Sequence, residues 1–201
     1  YDLYQNVHSC ECELINIDSS NILVPSADKT ELLMRKEAIN LTNTVLSEQM
    51  PNGVGKLDYN FIGSLEGALR GQGAEDLIIL ISNGDKSPAL ANGETLQESF
   101  SVSVALEYRG HWIRLSRVQT SPEIKKSIKN KFDLLLSNPR DIDNQDLILE
   151  NLGASYPYEP ISYDQLKPGC LFAMHITFEN SGKQFYYGDT CLYSEQGAHI
   201  L

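Results

Sequence analysis

The chain has 201 residues, a length that argues for one domain able to build its own core without disulfide staples. Its 16 Lys and Arg against 27 Asp and Glu give a formal net charge of −11, which argues against general electrostatic binding to nucleic acid or to an anionic membrane surface. Apolar residues make up 41% and charged residues 21%, and no apolar run approaches the ~20 residues that a membrane-spanning helix needs.

Residues 1–27 alternate short apolar and polar groups and read as an N-terminal segment, a remnant of or link to a preceding domain; residues 28–201 read as the folded domain. Within the segment, His8, Cys10 and Cys12 sit close together, but no second Cys pair with zinc spacing follows, so free thiols are the expected state of the cysteines. Asp28 followed by Glu31 is a helix start. Leu32, Ile39 and Leu46 then recur at intervals of seven until Pro51-Asn52-Gly53 ends the stripe. Leu57, Phe61, Leu65 and Leu69 mark a second helix.

The run Leu77 to Ile81 reads as a strand buried on both faces. Phe100, Val102, Val104 and Leu106 alternate with smaller or polar residues, turn near Arg109-Gly110, and continue into a hairpin partner from Trp112 to Val118. Ser121-Pro122-Glu123 starts a helix buried through Ile124, Ile128, Phe132 and Leu135. Asp143 to Asn151 reads as a shorter helix, and two strands, Cys170 to Phe178 and Phe185 to Tyr193, close the chain. This order predicts an α+β domain with an antiparallel sheet. Tyrosines 156, 158, 163, 186, 187 and 193 crowd the last third and are expected mainly as core.

Several segments, in order, resemble the pita-bread metallopeptidases (creatinase, aminopeptidase P, prolidase and methionine aminopeptidase). They are Glu31 to Ala38, Gly63 to Asp76, Val104 to Trp112 with Arg117, Leu166 to Phe172, and Gly188 to Gly197. The resemblance implies a curved antiparallel sheet covered by helices, and a centre in which two Asp, one His and two Glu hold two divalent ions that activate water for attack on an amide. Laid on this chain, the two Asp places fall on Ser103 and Arg114, the His place near Gly153-Ala154-Ser155, and the two Glu places on His175 and Gly188.

None of the five carries its ligand. The resemblance therefore implies a degenerate member with no catalytic residue, metal ligand or cofactor assigned, acting in binding of a peptide or protein. Ser103, Arg114, His175 and Asp189 are the candidate residues around the former metal cavity, and a small anion could sit at Arg114, since a buried guanidinium needs an anion. Within the protein, a carboxylate such as Glu107 or Asp189, or another side chain, is the expected partner of Arg114. The alternative reading is an active hydrolase of the same family, with its metal ligands elsewhere or with metal-free, creatinase-like chemistry. A Cys–His pair is a further possibility, although Cys170 and His175 are five apart and point to opposite faces of a regular strand.

Overall fold

The computed structural model describes residues 27–84, 87–137, 146–152 and 159–201. His8, Cys10 and Cys12, the segment Gly153 to Ser155, and Tyr156 and Tyr158 lie outside the described residues. Helix α1 (Lys29–Gln49) starts where the sequence places it, with the Asp28 carboxylate accepting the Glu31 N–H at 2.8 Å, which satisfies one of the helix's unpaired donors. A 3-10 turn, Met50–Gly53, leads to α2 (Asp58–Gly71).

Eight strands form one sheet: β1 (Asp76–Ser82), β2 (Phe100–Tyr108), β3 (His111–Gln119), β4 (Leu147–Asn151), β5 (Glu159–Pro160), β6 (Leu171–Asn180), β7 (Lys183–Ser194) and β8 (Gly197–Ile200). Helix α3 (Pro122–Ser137) lies between β3 and β4 in sequence. The strand order is β1-β2-β3-β7-β6-β4-β5, every pair is antiparallel, and β8 joins β7. Two hairpins set the register. Arg109 and Gly110 have φ of 52° and 76°, and Ser181 and Gly182 have 53° and 74°, the doubly left-handed backbone of the tight turn whose twist matches that of the strands.

The expected helix over Asp143 to Asn151 is corrected by the structure. Leu147–Asn151 is strand β4, paired to β6, because consecutive Leu147-Ile148-Leu149 gives each face of a strand an apolar residue, whereas five residues cannot carry a helical stripe. The strand at 77–82 pairs with β2 along its length and with Ala89 through one bridge at Ile81; Ile79 and Ile81 are buried, whereas Leu77, Ile78 and Leu80 are half-buried, so the strand is not buried on both faces.

Residues directly opposite one another in an antiparallel ladder share a face, so the register divides the sheet. One face carries Ile79, Val104, Leu106, Ile113 and Leu115, which pack with Leu46, Phe61, Leu65 and Leu69 of α1 and α2. Its other half carries Phe172, Met174, Ile176 and Phe185, which pack with Ile128, Phe132 and Leu135 of α3. All three α-helices of the described residues therefore cover one face. The opposite face carries Ser103, Arg114, Ser116, Glu150, His175 and Gly188. Arg35, buried at 4% exposure, fixes α1 to the sheet by donating to Glu31, to the Trp112 carbonyl and to the Leu152 carbonyl.

Candidate functional site

Ser103 and Ser116 are opposite residues of the β2–β3 ladder, Ser116 is opposite Gly188 across β3–β7, and Gly188 is opposite His175 across β7–β6. Four strands thus deliver one residue each to a single spot. The Ser116 hydroxyl donates to Ser103 Oγ at 2.9 Å, and His175 Nδ1 lies 3.0 Å from Ser116 Oγ. A serine hydroxyl has one proton. Since that proton goes to Ser103, Nδ1 carries the imidazole proton and donates to Ser116, leaving Nε2 as a bare acceptor nitrogen. Nε2 makes no hydrogen bond among the described residues and lies 3.8 Å from Glu150 Oε2.

Arg114 is ion-paired to Glu150 of β4, with side-chain exposures of 11% and 10%. Its backbone is positioned by Thr190, whose hydroxyl accepts the Arg114 N–H and donates to the Arg114 carbonyl, both at 3.0 Å. The protein thus supplies a carboxylate to Arg114, and it is Glu150 rather than Glu107 or Asp189. Asp189 is adjacent to Gly188 on β7 and so points to the helix-covered face, where it accepts from Arg117 Nη2 at 2.5 Å. Arg117 also donates to Asn43 and to the carbonyls of Ser116 and Gly188. The structure thus brings Ser103, Arg114 and His175 into one cluster and leaves Asp189 on the other side of the sheet. Cys170 and Cys191 are free, buried thiols on the helix-covered side, and burial first, then the neighbouring Asp189 charge, pushes the Cys191 thiol far above its ordinary value.

Gly188 explains how the cluster closes. A Cβ at this position would meet His175 Nδ1 at 2.2 Å, the Met174 carbonyl oxygen at 2.6 Å and His175 Cγ at 2.7 Å. The imidazole lies over the Gly188 backbone, in the space that a side chain from β7 would need. Burial, reinforced by Arg114 and Arg117, holds the His175 pKa well below its ordinary 6.5, so the ring is neutral. Burial pushes the Glu150 carboxyl up, against the lowering pull of Arg114. The depressed imidazole contributes stability that is complete above pH 6.5 and is lost as pH falls below it, because the unfolded chain then binds the proton first.

The residues do not fit the dinuclear centre that the resemblance implies. One carboxylate, Glu150, is neutralised by a guanidinium, the imidazole covers the neighbouring strand, and the other positions are hydroxyls and a glycine. Hard divalent ions need several oxygen donors with negative charge. Among the described residues no group of three or more His, Cys, Asp and Glu could hold a metal ion.

No protein-family model and no curated protein matches the chain. Solved structures do. The X-Pro aminopeptidase of Thermotoga maritima is 17% identical with a TM-score of 0.75, over 99% of this chain and 69% of that one. The Xaa-Pro dipeptidase of Bacillus anthracis is 14% identical with a TM-score of 0.72, over 100% and 68%. The methionine aminopeptidase of Thermotoga maritima is 13% identical with a TM-score of 0.63, over 88% and 98%. The prolidase of Pyrococcus horikoshii OT3 is covered over 62% of its length, so this chain spans about two thirds of the proline-specific enzymes and nearly all of the methionine enzyme. At these identities the likeness establishes the architecture: the chain has the pita-bread fold, an α+β domain whose antiparallel sheet carries helices on one face.

Proposed function

We propose that this pita-bread domain binds a peptide or protein segment and does not hydrolyse it through a metal centre. The observation that carries the reading is the closed cluster itself: the imidazole of His175 lies on Gly188, and Arg114 takes the one carboxylate of the spot, Glu150. In this reading the small anion expected at Arg114 is Glu150, supplied by the protein. The structurally similar enzymes named above are peptidases acting on peptide substrates, and the same sheet face here presents half-buried Ile78, Leu80 and Trp112 and exposed Ile148 around the cluster. Apolar side chains beside a desolvated polar centre suit the side chains of an extended peptide.

Metal-free hydrolysis has one observation in its favour, the row Ser116, His175 and Glu150. It lacks the protonation pattern. A serine nucleophile must give its proton to the imidazole, whereas Ser116 gives it to Ser103, is 1% exposed, and faces the protonated nitrogen of His175.

The test is to load the purified chain with Mn²⁺ or Co²⁺, dialyse it, measure metal content, and then follow both binding and cleavage of Ala-Pro-containing and Met-Ala-containing peptides. The expected result is saturable peptide binding with no bound stoichiometric metal and no cleavage. Retained metal with turnover, or absence of any peptide binding, overturns the proposal.

A further inference from the structure

A cavity of about 460 Å³ opens on the helix-covered face, between the C-terminal half of α1 and the first turns of α3, with the end of β3 and Tyr187 of β7 as its floor. It is separated from the Ser103, Ser116 and His175 cluster by the thickness of the sheet, because Arg117 and Tyr187 point opposite to Ser116 and Gly188. Its volume is that of a small-molecule site. Pro51 and the ring of Tyr187 give it an apolar lining, with Leu46, Met50 and Ile128 buried directly behind it.

The charges at this cavity depart from those of the chain. Acidic residues outnumber basic ones 27 to 16 overall, yet the twelve lining residues include Arg117, Lys125 and Lys129 and no Asp or Glu. Asp189 already neutralises Arg117 at the floor. Lys129 shares an exposed contact with Asp133 at 3.3 Å, the kind of surface pair that is given up at little cost. The Lys125 ammonium has no hydrogen bond or ion pair among the described residues. Polar donors add to this excess: Asn43 Oδ1 is taken by Arg117 Nε, so its amide NH₂ remains to donate.

We infer that this cleft binds a small amphipathic carboxylate, its apolar body against Pro51 and Tyr187 and its anionic head at Lys125 and Lys129. Charge complementarity selects the head group, since a carboxylate accepts from an ammonium in a charge-assisted bond, and an apolar wall of this size selects a body of several carbons. A free medium-chain acid and the C-terminus of a short apolar peptide present the same chemistry. The inference stands apart from the peptide-binding reading of the opposite face, since neither site uses the other's side chains.

The experiment is calorimetric titration of the whole chain with octanoate, octanol, acetyl-Leu-Leu and acetyl-Leu-Leu-amide. Octanoate or acetyl-Leu-Leu is expected to saturate a single site, with the uncharged analogue of the same body binding about tenfold or more weakly. The tighter of the two carboxylates identifies the source. Lys125→Glu combined with Lys129→Glu is expected to weaken carboxylate binding about tenfold or more, and Ser47→Trp, at an exposed position on the cavity wall, to block it by filling the space. Both variants sit on solvent-facing helix surfaces, so unchanged melting temperatures confirm folded protein. No saturable binding by any probe, equal binding of charged and uncharged probes, or binding indifferent to both variants overturns the inference.

Discussion

Replacing Gly188 by Glu, the carboxylate that the resemblance implies there, is expected to cost the protein its fold rather than restore a metal centre. The new Cβ would lie 2.2 Å from His175 Nδ1 and 2.6 Å from the Met174 carbonyl oxygen. The first contact belongs to a side chain that could in principle turn away. The second is backbone held by the β6–β7 ladder, which runs unbroken from Leu171 opposite Leu192 to Asn180 opposite Lys183, so no rotamer relieves it. Overpacking against a fixed backbone, together with a buried unpaired carboxylate, places the loss at about 4 kcal/mol or more. Gly188→Ala isolates the steric part and is expected to lose about 2–3 kcal/mol. Gly188→Ala combined with His175→Ala is expected to recover only part of this, because the carbonyl remains. Urea denaturation of the three variants measures the effect, and a Gly188→Ala protein as stable as the parent would mean that the imidazole does not lie on this strand.

The second large effect concerns the Arg114 and Glu150 pair. Withdrawing a carboxylate from a guanidinium only 11% exposed leaves a charge in a medium that solvates it poorly, and Glu150→Leu is expected to cost about 3 kcal/mol, or about 10 °C in melting temperature for a domain of this size. Arg114→Met is expected to be milder. Burial already pushes the Glu150 carboxyl up and Arg114 pulls it down, so removing the guanidinium pushes it up further and the neutral form becomes easier to reach. The double variant Arg114→Met with Glu150→Leu is expected to lie within about 1 kcal/mol of the parent, since an apolar pair of similar volume replaces a buried ion pair with little loss. Additive effects of the two substitutions would show that the side chains do not act on each other.

Much of the scaffold could be read from local chemistry. Asp28 with Glu31 marks the start of α1, Arg109-Gly110 marks the first hairpin, and the alternation of β2 places its apolar side against the helices. Strand β4 was misread because Leu147-Ile148-Leu149 is a short apolar run without a period, and only pairing with β6 decides what it becomes. The site was legible where the motif was local. Ser103, His175 and Gly188 meet through the register of β2, β3, β7 and β6. Glu150 was missed because it is 36 residues from Arg114 on a strand that had been read as a helix. Two signals were present but unused. Ser116 is two residues from Arg114 and therefore on its face of β3, and Asp189 follows Gly188 and therefore cannot share its face, so strand alternation alone would have added the first and removed the second.

Imidazole ¹⁵N NMR of His175 tests most directly whether a neutral imidazole and an internal ion pair stand in the place of the metal centre that the resemblance implies. Spectra are recorded from pH 8 to pH 4.5 and then with Co²⁺ in excess at pH 7.5. The expected result is a neutral ring with Nδ1 protonated and Nε2 unprotonated, no titration step at the ordinary 6.5 because burial and the two arginines hold the pKa well below it, and no paramagnetic shift on adding cobalt. A ring that titrates near 6.5, or whose nitrogen resonances are displaced and broadened by cobalt bound in stoichiometric amount, would contradict it.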